Sequence, residues 1–153
     1  MTELSDKASQ ALRTALNAEH AAVWTYELAT AFAGGSKPVA DAISEATEVH
    51  EGHRDAAQRA IRAAGGSPPV AAPAYALPQQ PTDQVSAVRV LITAEHECQV
   101  AWRAVLESTE PGEGGPEVRR TALDALTTAA SRETRWRITI DQQPSAITTP
   151  GKP

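Results

Sequence analysis

The chain has 153 residues, of which 41% are hydrophobic and only 4% aromatic, and its formal net charge is −5. This length is typical of one domain with its own core, and the scarcity of β-branched runs favours packed helices over sheets. The acidic balance argues against a nucleic-acid partner, since phosphate binding needs clustered basic side chains. No segment resembles a membrane span or a signal peptide, and a single cysteine allows no intramolecular disulfide. A cytoplasmic protein is therefore expected.

Helical periodicity begins near the N-terminus. The first helix is predicted over about residues 5–33, where Gly34 and Gly35 supply the stop. Ser36 can cap a second helix, which Gly65 ends. Because only a few residues join these two helices, they are expected to form an antiparallel hairpin.

A second hairpin is predicted after residues 67–81, a proline-rich segment that cannot continue a helix. Thr82 or Asp83 can cap the third helix, and the fourth begins at Pro116. Two hairpins with one long middle connection are typical of the ferritin-like arrangement. The predicted fold is thus all-α: a ferritin-like antiparallel four-helix bundle over residues 1–142, with a Pro-rich crossover between helices two and three. Residues 143–153 are expected to form a flexible tail.

The tripeptide Ala-Glu-His occurs twice, at residues 18–20 and 94–96. In both copies the glutamate, Glu19 or Glu95, falls on the apolar seam of its helix, where a carboxylate is costly to bury without a partner. His20 and His96 lie about 100° off that seam, at the predicted borders between helices. The repeat therefore predicts two carboxylates in the centre of the bundle.

A ferritin-like dimetal site needs one glutamate from each of two helices and Glu-x-x-His from each of the other two. Helix two instead offers His50-x-x-His53, and helix four offers Glu133-x-x-Trp136. Because an indole cannot ligate a metal in this way, the ligand set is incomplete.

Three interpretations follow. In the first, the seam glutamates pair with Arg132 and the histidines in a buried network that holds no cofactor, and the protein is a non-catalytic bundle. In the second, carboxylates and imidazoles hold iron, manganese or zinc in an oxidoreductase-like metalloprotein. In the third, the polar layer binds a small organic molecule. The candidate metal ligands are Glu19, His50, His53, Glu95 and Glu133.

Other side chains have simpler expected roles. Cys98 lies beside the seam and is expected to be an inert buried thiol. Tyr26, Trp102 and Trp136 share a stripe and are explained by core packing. Trp24 points toward the outer side of helix one, where an exposed aromatic could anchor a homodimer.

Four segments give the chain a family resemblance: AEHAAV at residues 18–23, HEGHRD at 50–55, PAYALP at 73–78 and RWR at 135–137. With them the chain resembles small actinobacterial ferritin-like proteins classed as a domain of unknown function. The resemblance implies a closed helical bundle related to ferritins and brings no established reaction. The dimetal pattern of true ferritins transfers only to Glu19 and Glu95.

Overall fold

A computed structural model describes residues 3–153 of the chain. Within these residues it contains four helices and no strand: α1 (Asp6–Thr30), α2 (Lys37–Ala63), α3 (Gln84–Ser108) and α4 (Pro116–Thr139). The predicted starts are confirmed to within one residue. The first helix ends three residues before the predicted position, and the chain then turns through Gly34 at φ +66°.

Local capping explains where two of the helices begin. The Ser5 hydroxyl accepts a hydrogen bond from the backbone N–H of Ala8 at 3.2 Å, which satisfies one of the free amides at the start of α1. Of the two predicted caps for α3, Asp83 holds the position, in a reciprocal capping box with Ser86. Ser36 precedes α2 as predicted, but its side chain makes no capping hydrogen bond.

The helices form a closed bundle in which α1 packs against α2 and α3, and α4 packs against α3 and α2. The Gln84 amide, at the start of α3, donates to the carbonyl of Ala33, just after α1, at 2.6 Å. Since α3 begins where α1 ends, these two neighbours run antiparallel. The predicted all-α four-helix bundle is confirmed.

Residues 64–83 connect α2 to α3 without forming a helix, and they lie alongside α1. His20 Nε2 is 3.1 Å from the Pro69 carbonyl oxygen, and the ring centroids of Trp24 and Tyr75 are 5.9 Å apart. Trp24 is therefore half-buried beneath this segment. The expectation of an exposed indole there is wrong, because residues 64–83 pack over this part of the outer side of α1.

The C-terminal residues also contact the bundle. Arg103 on α3 donates to the Pro150 carbonyl at 3.1 Å, and Gly151 is buried beside the same helix. Mobility of residues 143–153 stays a prediction.

Two apolar clusters form the core, and the predicted polar layer lies between them. One surrounds Leu12, Leu16 and Trp102, and the other surrounds Ile43 and Leu91. Glu19, Glu95 and His50 are all at most 2% exposed. None of the helices in residues 3–153 has both the length and the apolar character that a membrane span requires.

Candidate functional site

The centre of the bundle holds an imidazole between two carboxylates. His50 on α2 places Nδ1 at 2.6 Å from Glu19 Oε2 on α1 and Nε2 at 2.9 Å from Glu95 Oε1 on α3. The two seam glutamates, whose shared helical angle predicted a central position, thus converge on one histidine.

His50 is best described as an imidazolium. Each ring nitrogen of His50 faces one carboxylate. An ionised carboxylate can only accept a hydrogen bond, so both ring nitrogens must carry a proton. Burial alone would lower the pKa of His50, but the charges of Glu95 and Glu19 outweigh that effect and raise the pKa well above its usual range. A ring protonated at both nitrogens has no lone pair left for a metal.

Two aromatic side chains also donate hydrogen bonds to these carboxylates, although Glu95 Oε2 has no partner among the described residues. Trp102 Nε1 donates to Glu19 Oε1 at 2.6 Å, and the Tyr26 hydroxyl donates to Glu95 Oε1. Burial and then the Glu95 charge raise the pKa of Tyr26 well above its ordinary value. Trp136 Nε1 donates in turn to the Tyr26 oxygen at 2.7 Å.

These three aromatics are buried, as core packing predicts, but they also supply hydrogen bonds that the sequence analysis missed. The available signal was their spacing. Tyr26 and Trp102 each follow a seam glutamate by seven residues, which places an N–H or O–H donor on the same face two turns away.

His53 lies at the edge of the site rather than between the two glutamates. Its Nδ1 is 3.9 Å from Glu19 Oε1, whereas its Nε2 is 3.0 Å from Asp124 Oδ2 on α4. The Asp124 side chain is 70% exposed. Helical periodicity predicted that His53 points toward the core, but it did not predict the contact with Asp124. No feature of the sequence indicates which residue of α4 faces α2.

Glu133 belongs to a second buried group. Its Oε1 accepts from Arg137 Nε at 2.9 Å and Nη2 at 2.7 Å, and its Oε2 accepts from the Gln99 amide. His96 Nδ1 is 3.5 Å from the same Oε2. The i, i+4 spacing of Glu133 and Arg137 favours this pair within α4. Of the five candidate ligands, the structure therefore brings Glu19, His50 and Glu95 into direct contact, with His53 beside them and Glu133 apart.

Arg132 borders the site as the sequence predicted. It is 7% exposed, and its Nε is 4.0 Å from Glu95 Oε1. Two carboxylates thus face one imidazolium and one guanidinium, so the formal charges of the central group balance without any further ion.

Cys98 adds a sulfur to the group, three residues after Glu95. The thiol is fully buried, and burial followed by the Glu19 charge raises its pKa to about 12. One ligand atom from each of Glu19, His50 and Cys98 lies within 4.8 Å of the others. The predicted burial of Cys98 is confirmed. Its position close to potential metal ligands was missed, because the contact forms between helices.

Comparison with known proteins places the chain in a family. A family model described as a domain of unknown function (DUF4439) matches residues 11–153. The chain is also similar to the crystal structure of a conserved hypothetical protein, rv2844, from Mycobacterium tuberculosis. The sequence identity is 32% and the TM-score 0.79, over 88% of this chain and 98% of that one. No protein with a curated description matches. The chain belongs to the DUF4439 family of domains of unknown function.

Proposed function

We propose that this protein is a ferritin-like bundle that acts as a non-catalytic scaffold in the cytoplasm, with the His50 imidazolium at the position where a ferritin-like protein holds metal. The observation that carries the proposal is the pair of contacts from His50 to Glu19 and Glu95, at 2.6 and 2.9 Å. In a carboxylate-bridged metal site, these oxygens and a ring nitrogen would face an ion instead of one another.

The charges around His50 also favour a metal-free centre. Arg132 adds a second positive group 4.0 Å from Glu95 Oε1, and a buried guanidinium raises the cost of placing a divalent cation beside it. Glu133 is already satisfied by Arg137 and Gln99. A ligand set that depended on Glu133 would have to break these bonds first.

A scaffold acts through its surface, and a homodimer is the simplest assembly for it. Leu123 and Ile138 on α4 are 58% and 60% exposed, which supports this helix as the contact face. Light scattering on the purified chain measures the assembly. A monomer, or a dimer that is unaffected by Leu123→Glu, would contradict the use of this face.

Metal content tests the central proposal. The protein is purified without chelators, then dialysed against Fe²⁺, Mn²⁺ or Zn²⁺, and bound metal is measured by mass spectrometry. The matched control is the double variant Glu19→Gln, Glu95→Gln. We expect the same trace metal in both proteins. One metal ion per chain, lost in the double variant, would overturn the proposal.

A second candidate function, metal binding, is favoured by the proximity of Glu19, His50 and Cys98. Oxygen, nitrogen and thiolate donors together suit zinc better than iron or manganese. Binding would require the loss of one His50 proton and of the Cys98 proton, so it would strengthen as pH rises. Zinc bound at one ion per chain and weakened at least tenfold by Cys98→Ser would establish this candidate; equal binding by the variant would exclude Cys98 as a ligand.

A further inference from the structure

A surface pocket of about 410 Å³ lies on the outer side of α3 and α4, away from the central carboxylates. On α3 its wall carries Arg89, Ile92 and His96, spaced three and four residues apart and therefore on one helical face. Arg137 of α4 lines the pocket as well. Its remaining walls include the amide side chains of Gln79, before α3, and Gln142, after α4.

The polar side chains of this pocket are mainly hydrogen-bond donors. Arg89 is exposed and forms no ion pair within residues 3–153, but it interacts electrostatically with Asp83 at the start of α3. His96 directs Nδ1 toward Glu133, and its Nε2 has no hydrogen bond in the described part of the chain. Arg137 is held by Glu133 through Nε and Nη2. Glu133, which accepts hydrogen bonds from Arg137, is thus matched by that guanidinium, and no carboxylate is among the residues that line the pocket beside Arg89.

Two guanidinium groups and an imidazole thus line one pocket in a chain whose net charge is −5. A guanidinium fork and an imidazole N–H are the donors that phosphate and carboxylate groups require. The volume falls within the range of small-molecule sites, and Ile92 supplies apolar surface.

We propose that this pocket binds a small organic molecule through an anionic head group, a phosphate or a carboxylate. Arg89 and His96 hold the head group, and the body of the ligand lies over Ile92. The site does not depend on whether the centre of the bundle holds metal, because within residues 3–153 none of its lining side chains forms a hydrogen bond or ion pair with the side chains of Glu19, His50 or Glu95.

The test uses the full chain labelled with ¹⁵N and titrated separately with inorganic phosphate and with succinate at low salt. We expect saturable shifts at the His96 ring and near Arg89 for at least one probe, with a dissociation constant at or below about 10 mM and weaker binding as salt is added. Saturation by phosphate alone assigns a phosphorylated ligand. Saturation by succinate assigns a carboxylate.

Two variants probe the assignment. Arg89→Gln and His96→Gln should each weaken binding about tenfold or more, equivalent to about 1.4 kcal/mol. Arg120→Gln removes the same charge as Arg89→Gln from a site outside the pocket and should leave the affinity unchanged. The proposal is overturned if neither probe gives saturable shifts, or if Arg89→Gln and Arg120→Gln bind with equal affinity.

Discussion

Trp102 Nε1 on α3 lies 2.6 Å from Glu19 Oε1 on α1, and the converse pair joins Tyr26 of α1 to Glu95 of α3. Each aromatic follows the glutamate of its own helix by seven residues, about two helical turns. Because α1 and α3 run antiparallel, each donor reaches the glutamate of the other helix. Each half of the polar layer is therefore held by a hydrogen bond from an aromatic side chain of one helix to the glutamate of the other. His50 lies between these two pairs.

Removing the central ring should strongly destabilise the protein. His50→Ala leaves Glu19 and Glu95 buried without their shared cation, and breaking a buried ion pair in this way typically costs about 3–5 kcal/mol. The free energy of unfolding is measured by denaturant titration. His96→Ala, at a side chain that is 39% exposed, is the control and should cost much less.

A rescue variant separates charge from packing. Adding Glu19→Gln and Glu95→Gln to His50→Ala removes the uncompensated charges and should recover part of the lost stability. If the triple variant is no more stable than His50→Ala, the contribution of His50 to stability comes mainly from the volume that its side chain fills in the core.

The stabilisation by His50 should depend on pH. Its pKa in the folded protein is raised above the ordinary value of 6.5 by Glu95 and Glu19, against the opposing effect of burial. The charged ring therefore contributes its full stabilisation at pH values below 6.5, the ordinary pKa of histidine. This contribution is lost as the pH rises through the pKa of His50 in the folded protein. The difference in unfolding free energy between wild type and His50→Ala should shrink over that range.

Nitrogen NMR gives a direct measurement of the same state. Both ring nitrogens of His50 should carry protons at about pH 7, where an ordinary histidine is mostly neutral. A neutral His50 ring at that pH would contradict the imidazolium assignment.

Cys98 should be unreactive in the folded protein. Its thiol is buried, and its pKa is raised to about 12, so almost no thiolate is present near pH 8. Alkylation by iodoacetamide, followed by mass spectrometry, should modify the chain only after denaturation. Rapid modification of the native protein would show that the thiol is accessible, contrary to this structure.

Gly151 should be needed for the C-terminal residues to lie against α3. At φ +73°, an added Cβ would lie 2.5 Å from the Gln99 carbonyl oxygen and 2.9 Å from the Arg103 Cβ. Gly151→Ala should therefore speed hydrogen exchange in the last ten or so residues and leave the helices protected. Gly112 also has a positive φ, and a Cβ added there would have no atom within 4 Å. Gly112→Ala is therefore the control for backbone strain without a steric clash.

Sequence periodicity was sufficient for the fold class and for the depth of the central carboxylates. Four amphipathic segments with glycine and proline stops predicted the four helices, and the seam positions of Glu19 and Glu95 predicted their burial. Both conclusions depend on the helical repeat alone, which relates residues within one segment.

The contacts between segments were decided only by the tertiary structure. Glu133 lay on the seam by angle but pairs with Arg137 and Gln99, and the indole of Trp24 is covered by Tyr75. Which donor reaches each carboxylate depends on how helices are rotated and aligned against one another, which the angle around a single helix does not specify. The repeated Ala-Glu-His thus determined that two carboxylates lie in the core, and helix packing decided that they meet on His50.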